Sequence, residues 1–353
     1  MNWRYGIVVA ALALVLAASA LAHRAFGFET VVAGINGIGD RAGDLAHRVA
    51  GRRSPPRAQT SRTSIGLTCC GLSYPIWNRN RDRSLDFSEM RALGVKFIRL
   101  DYLYGNALWQ AEAERLASLG SSQGMAITVI VGGWMDYADR PSLGEFETFA
   151  RDTATKLPDV DVFEVINEPD LVGWTPETYV PYLQAAYRGI KAARPEAVVS
   201  TGGISRFGCA TSPCPTGTGM VDWVRRMYEA GAAPYFDALA LHLYDDPLDR
   251  GAENVWDWAF VEPTNVRGVM DANGDRNKPL WSSENGAPIP KYTLKEQAQI
   301  VGNAIRAVKE QTFPLANVAH YTLQDDDVAG FGLLDPAHAR RPAWFAYRDA
   351  MQR

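Results

Sequence analysis

The sequence predicts an α/β protein, a (β/α)8 TIM barrel, and three observations carry that expectation. From Ser64 to Arg353, short β-branched or apolar runs alternate with amphipathic runs of 10 to 20 residues, the pattern of repeated βα units around a parallel sheet. Eight such pairs occur, the number and length that a barrel needs. Polar residues also gather at the ends of several strands. Barrel enzymes build their sites at those C-terminal ends, whereas a doubly wound open sheet would give no reason for the gathering.

Taken in order, the apolar runs place strands near Ile65 to Cys69, Val95 to Leu100, Ala126 to Val131 and Val160 to Asn167, then near Ala197 to Gly202, Phe236 to His242, Pro279 to Glu284 and Asn317 to Leu323. Helical periodicity falls between them, at 86 to 93, 107 to 119, 143 to 156, 177 to 193, 219 to 231, 253 to 270 and 293 to 311, with a last helix at 342 to 351. Alternation within a strand assigns faces, because residues two apart share one. In the sixth strand Leu239, Leu241 and Leu243 should meet the helix ring, leaving Ala238 and Ala240 inside and His242 and Tyr244 at the mouth. By the same parity Phe97, Arg99 and Asp101 point inward from the second strand, and Glu164, Ile166 and Glu168 from the fourth.

Composition narrows the function classes. The 353 residues are 47% apolar and 22% charged, which supports a sizeable core and excludes whole-chain disorder. Thirty-six Lys and Arg stand against 40 Asp and Glu, a balance that excludes a dedicated nucleic-acid binder. Only His242, His320 and His338 of the five histidines lie beyond the first 50 residues, so no His-rich metal site is expected.

The N-terminus reads as an address. After Arg4 an unbroken apolar run extends from Gly6 to Ala22, with Ala18, Ala20 and Ala22 in the spacing that signal peptidase accepts. Residues 1 to 22 are therefore a signal peptide or a membrane anchor through residues 6 to 22, and the body is secreted, periplasmic or held at the outer face of the membrane. Residues 23 to 63 hold seven Arg against three acids and end in a Pro- and Ser-containing stretch, while the rest of the chain from Ser64 holds 28 basic against 37 acidic residues. The shift marks 23 to 63 as a basic linker and 64 to 353 as the (β/α)8 barrel. Gly37 to Ala42 matches a loose dinucleotide fingerprint but has no acid about 20 residues on, as that motif requires.

Glu168 and Glu284 each directly follow an apolar strand, in the settings Val165-Ile166-Asn167-Glu168-Pro169-Asp170 and Trp281-Ser282-Ser283-Glu284-Asn285-Gly286. The fourth and seventh strands face each other across the mouth of an eight-stranded barrel. Two carboxyls about 5 to 5.5 Å apart there suit a retaining glycosidase, and about 6.5 to 9.5 Å an inverting one.

With these motifs residues 64 to 353 resemble clan A glycoside hydrolases, the retaining (β/α)8 enzymes, and are most similar to family 39 and its family 5-like neighbours. The resemblance is carried by Asn167-Glu168-Pro169 and Glu284, spaced 116 residues apart, with Arg99-Leu100-Asp101, His242-Leu243-Tyr244 and Phe331-Gly332-Leu333-Leu334-Asp335. It implies that Glu168 is the acid/base and Glu284 the nucleophile, and that Asn167 binds the hydroxyl beside the anomeric centre. Arg99 and the Tyr244 hydroxyl could keep Glu284 ionised, while an apolar wall and a nearby carboxylate would raise the pKa of Glu168. Arg99 has an equal claim as the buried partner of Glu164. Substrate binding is assigned to Arg99, Asp101, Trp134, Asn167, His242, Tyr244 and Tyr321.

One departure stands out. Clan members commonly carry a Trp at the end of the eighth strand, where this chain reads Val318-Ala319-His320-Tyr321-Thr322-Leu323-Gln324, and the sequence leaves open whether His320 or Tyr321 takes its place. Trp134 and Trp174 are the aromatic candidates for a sugar platform on the active face.

The expected reaction is hydrolysis of a cell-wall or extracellular polysaccharide by double displacement, with no cofactor and no metal; the string Asp271 to Asn277 lacks the glycine and glutamate of a calcium loop and reads as a turn. The alternative is a carbohydrate-binding barrel without turnover. The expected partner is a polysaccharide or oligosaccharide, and the oligomeric state stays open. In an oxidising compartment Cys209 and Cys214 are expected to form a disulfide, and the adjacent Cys69 and Cys70 to be two buried thiols.

Overall fold

The computed structural model describes residues 69–74, 83–205, 219–249, 254–261, 264–325 and 330–353. The expected signal or anchor, the linker, and the Cys209–Cys214 pair lie outside the described residues.

Eight parallel strands form the barrel: β1 Gly71–Ser73, β2 Phe97–Leu103, β3 Ala126–Gly132, β4 Val162–Val165, β5 Val198–Thr201, β6 Leu239–His242, β7 Leu280–Asn285 and β8 Asn317–Tyr321. They are ordered β5-β4-β3-β2-β1-β8-β7-β6. Parallel bridges from Ser200 to Ala238 and from Ile204 to Leu241 close β5 onto β6. The helices are α1 Arg83–Leu93, α2 Ala107–Ser122, α3 Leu143–Lys156, α4 Pro176–Ala193, α5 Gly219–Glu229, α6 Val255–Phe260, α7 Val266–Ala272, α8 Leu294–Lys309 and α9 Pro342–Gln352. No helix among the described residues is long and apolar enough to cross a membrane.

The interior is layered. At the floor Phe97, Val162, Ala238, Trp281 and Ala319 form a small apolar cluster of their own. Above it the interior turns polar, with Ser73, Arg99, Thr128, Glu164 and Ser200 on neighbouring strands. The larger apolar core lies outside the barrel, where Leu239, Leu241 and Leu243 meet the helices as parity predicts.

Three expectations need correction. The first strand is Gly71–Ser73, not a run ending at Cys69. Pairing on both sides defines it, with Gly71 opposite Phe97 and Ala319, and hydropathy gives no sign of it. The helix expected over 253 to 270 is two helices, because Asn265 caps a new start by accepting from the Gly268 N–H at 2.8 Å. Ile166 does not point inward. β4 stops at Val165, Ile166 takes a left-handed backbone with φ of 58°, and its side chain joins the outer core.

Cys69 and Cys70, expected as two thiols, are placed with their sulfur atoms in bonding contact. Of the string Asp271 to Asn277, Asp271 and Ala272 end α7 and the rest is a turn before β7, with Arg267 holding Asp271 at 2.9 Å and Lys278 holding Asp275 at 3.0 Å.

Gly71 has a steric reason. A Cβ there would lie 2.5 Å from both the ring and the carbonyl of Phe97, so the side chain that plugs the floor needs a neighbour without one. Gly71→Ala should cost about 1–3 kcal/mol, the usual effect of overpacking, read as a lowered denaturation midpoint with an unchanged slope.

Candidate active site

The mouth of the barrel is built around one guanidinium. Arg99 projects inward from β2 and is buried. Its Nε and Nη2 donate to the two oxygens of Glu164 at 2.8 and 2.7 Å, and its Nη1 donates to Glu284 Oε1 at 2.6 Å. Nη1 also reaches Ser73 Oγ at 2.9 Å, and Nη2 reaches Asn167 Oδ1 at 2.5 Å. The two readings of Arg99 are thus both true. It is the buried partner of Glu164 and also a direct contact of Glu284.

Simple alternation would bring Glu168 to the mouth but leave Glu284 on the outer wall, and neither strand keeps to it. On β7, Leu280, Ser282 and Glu284 would share the outer face with one another, opposite the inward Trp281. A register shift changes this: Leu241 pairs with Ser282 but His242 pairs with Glu284. Such a bulge re-aims the side chains after it, and Glu284 turns in to meet Arg99. On β4 the left-handed Ile166 resets the parity, so that Asn167 turns in, and Glu168 follows with φ of 41°. Non-glycine residues with positive φ cost free energy and cluster at functional sites.

Two carboxylate oxygens, one each from Glu168 and Glu284, and a ring nitrogen of His242 lie within 4.8 Å of one another. His242 Nδ1 is 2.7 Å from Glu168 Oε1 and 3.5 Å from Glu284 Oε2. The Tyr244 hydroxyl donates to Glu284 Oε2. The two carboxyls are pushed in opposite directions. Burial is the largest influence on Glu168 and, with the charges of Glu284 and Asp170, outweighs the pull of His242, so its pKa is raised. Burial also opposes ionisation of Glu284. There the charges of His242 and Arg99, with hydrogen bonds from Tyr244 and Arg99, win, and the pKa is lowered. Burial works against the charged form of His242, but the two carboxylates prevail and its pKa is raised.

The same three residues are spaced to hold a metal ion, yet the donor chemistry is spent. His242 Nδ1 is engaged with Glu168, Tyr244 caps one oxygen of Glu284, and Arg99 sits on the other. A cation would have to displace a guanidinium that is already there.

The other expected residues divide. Asp101 lies on the inward face of β2, level with Ile130 of β3, and its pKa is pushed up to about 6 by burial, which the Arg99 charge only partly offsets against Glu284 and Glu164. Trp134 is 40% exposed in the loop after β3. Trp174 is a packed aromatic instead. It is buried, donates from Nε1 to the Met135 carbonyl at 2.8 Å and packs edge-on against Tyr137 and Tyr182.

On β8 the choice falls to Tyr321, which pairs with the inward Ser73 and packs edge-on against Phe331 at 5.4 Å. Tyr244 meets the other side of Phe331 at 5.6 Å. His320 faces away, its Nε2–H donating to the Phe331 carbonyl at 3.1 Å, and burial pushes its pKa down to about 4, so it stays neutral. Gln324 binds the Asp335 and Pro336 carbonyls and so shapes a loop outside the mouth.

Sequence reasoning missed Ser73, Ser283 and the Gly203 N–H. Gly203 donates to Glu164 Oε1 at 2.9 Å and Ser283 Oγ lies 3.5 Å from the same atom. Ser73 was hidden because the first strand was placed too early. The inward parity of Ser73 would have shown it once Gly71 was set opposite Phe97.

No protein-family model and no curated protein matches the chain. Its structural neighbours are glycoside hydrolases. The GH39 enzyme from Xanthomonas axonopodis pv. citri superposes with a TM-score of 0.60 at 16% identity, covering 80% of this chain and 66% of that one. A GH5_18 protein from Streptomyces cattleya in complex with GlcNAc gives 0.59 at 19%, covering 81% and 80%. A family 39 glycoside hydrolase from the gut symbiont Bacteroides cellulosilyticus WH2 gives 0.57 at 18%, covering 80% of this chain, which spans 62% of that protein. At these identities the likeness establishes a shared barrel fold, in keeping with the family 39 and family 5-like resemblance.

Removing the guanidinium strands two buried carboxylates. Arg99→Met should therefore destabilise the protein by about 3–5 kcal/mol at neutral pH, the usual cost of breaking a buried pair from one side. The lowered pKa of Glu284 gives stability that is present above the ordinary glutamate value and lost as pH falls through the depressed one. The gap between wild type and variant in denaturant titrations should accordingly narrow in acid.

Proposed function

We propose that the protein is a retaining glycoside hydrolase that works by double displacement. One observation supports this reading above the others: two buried carboxyls meet across the mouth with oxygens within 4.8 Å and with pKa values driven apart. Close carboxyls suit the retaining geometry, since inversion needs about 6.5 to 9.5 Å to admit a water. Opposed pKa values suit an acid and a nucleophile.

In the first step Glu284, ionised, attacks the anomeric carbon while Glu168, protonated, gives its proton to the departing oxygen. The C–O bond to the leaving group breaks as the ester to Glu284 forms. In the second step Glu168, now a carboxylate, takes a proton from water, whose oxygen attacks the same carbon and releases Glu284. His242 lies 2.7 Å from Glu168 and steadies it in both states. Arg99 and Tyr244 hold Glu284 in position for attack, and Asn167, itself fixed by Arg99, would meet the hydroxyl beside the reacting carbon. Tyr321, Tyr244 and Phe331 offer an aromatic wall for the sugar, and Trp134 an exposed platform. The substrate is a glycan of a wall or extracellular matrix, reached by a chain exported or anchored through residues 6 to 22. Nothing in the mouth favours a barrel that binds sugar without turning it over.

Glu284→Gln should abolish turnover on every substrate, because the attacking charge is gone. Glu168→Ala should be selective, losing roughly 10²–10⁴-fold on poor leaving groups while activated aryl glycosides still load the enzyme. Azide should then restore turnover and give a product that keeps the substrate's anomeric configuration. The wild-type pH profile should be a bell, rising as Glu284 ionises at its lowered pKa and falling as Glu168 loses its proton at its raised one. The Glu168→Ala variant should lack the alkaline fall. An inverted product, or azide rescue of Glu284→Gln instead, would overturn the assignment.

Export would also oxidise the cysteines. Mass mapping of the unreduced protein should find Cys209 and Cys214 in one linked species; a free thiol at Cys209 would refute the pairing.

A further inference from the structure

The mouth contains a third carboxyl that the proposed reaction leaves unused. Asp101 stands two residues beyond Arg99 on the inward face of β2, in the same row as Ile130 and Glu164. Arg99 is its natural partner, but a guanidinium has five N–H donors, and all five are committed to Glu164, Glu284, Ser73 and Asn167. Among the described residues no hydrogen bond or ion pair reaches the Asp101 side chain. The carboxylate is part-buried and faces the mouth, where, with Glu168 protonated as the proposed first step requires, acids still outnumber bases: Asp101, Glu164 and Glu284 against Arg99 and His242.

We propose that Asp101 is a specificity-determining residue that selects a glycan bearing free amino groups, an ammonium of a 2-amino-2-deoxy sugar being the ligand of its carboxylate. The inference rests on the glycosidase reading and names the substrate class of that same site. Three sugar classes can be compared. A uronate would add a negative charge to a cleft with a surplus of them. A neutral hydroxyl can donate to Asp101 but leaves the surplus in place. An ammonium donates three N–H groups and cancels the charge, and charge-assisted hydrogen bonds are the stronger kind. The raised pKa of Asp101, about 6, agrees with a carboxylate whose counter-ion arrives with the substrate.

The test uses the full-length protein and three small probes that differ at one position: methyl β-glucosaminide, methyl β-N-acetylglucosaminide and methyl β-glucoside, titrated at neutral pH with binding followed by NMR. Wild type should bind the amine about tenfold more tightly than either neutral probe, the effect of one charge-assisted hydrogen bond. Asp101→Asn should erase that preference, costing the amine about tenfold more affinity than it costs the neutral probes, and Asp101→Glu, which keeps the charge, should retain part of it. Equal affinity of wild type for amine and neutral probes would overturn the proposal, as would an equal loss on all three in Asp101→Asn. Binding is read without turnover, so the two readings fail separately. A protein that prefers the amine yet cleaves no glycan refutes the glycosidase reading; one that cleaves neutral glycans with no amine preference refutes this one.

Discussion

The organising interaction is the buried guanidinium of Arg99, which ties together four strands. Its donors reach Ser73 on β1, Glu164 on β4, Glu284 on β7 and Asn167 just beyond β4. Burying one cation with two carboxylates is costly unless every donor and acceptor is matched, and here the five donors are matched. Glu164 serves this purpose. It absorbs two of the bonds, takes a third from the Gly203 N–H, and so fixes the plane of the guanidinium. Only a rotationally locked Arg99 can present one nitrogen to Glu284 at 2.6 Å while leaving the second carboxylate oxygen to Tyr244.

Regular strands would have been the wrong shape for such a site. Alternation delivers side chains to the interior at every second position, and that spacing places Phe97, Arg99 and Asp101 correctly. It cannot deliver two adjacent inward residues. On β7 the bulge allows both Ser283 and Glu284 to turn in, and on β4 the left-handed Ile166 permits Asn167 and Glu168 to follow one another into the mouth. The departures from regular backbone fall where the chemistry is proposed, and β2, which supplies the anchor, stays regular.

This distinction also explains what could be read in the sequence. Parity arguments succeeded on β2 and β6, where Arg99, Asp101, His242 and the three leucines lie on the faces assigned to them. They failed at Ile166, because a sequence does not announce a positive φ at a β-branched residue. Glu168 and Glu284 were singled out by their neighbours, Asn167-Pro169 and Asn285-Gly286; face counting also put Glu168 inward, through a parity that the backbone breaks at Ile166, and for Glu284 it would have given the outer wall. The first strand was missed for a related reason. Three residues held by pairing on both edges need no hydrophobic signal, and the weak apolar run just before them attracted the assignment instead. The aromatic residues were the least legible, since Trp134 and Trp174 look alike in sequence. Only packing distinguishes an exposed indole from one whose N–H is spent on the Met135 carbonyl.

The two histidines of the upper barrel show how completely surroundings set chemistry. His242 and His320 are both buried, and burial alone disfavours charge on either. His320 meets only a backbone carbonyl, so desolvation prevails and its pKa falls to about 4. His242 meets two carboxylates, and their fields reverse the outcome. The consequence passes to the glutamates. The influence of His242 on both is downward, yet Glu284 gains Arg99 and Tyr244 in addition while Glu168 gains the opposing charges of Glu284 and Asp170. The asymmetry between the two carboxyls therefore arises from Arg99 and Tyr244 standing on one side of the mouth. A pair with symmetrical surroundings would share its proton and offer neither a committed acid nor a committed nucleophile.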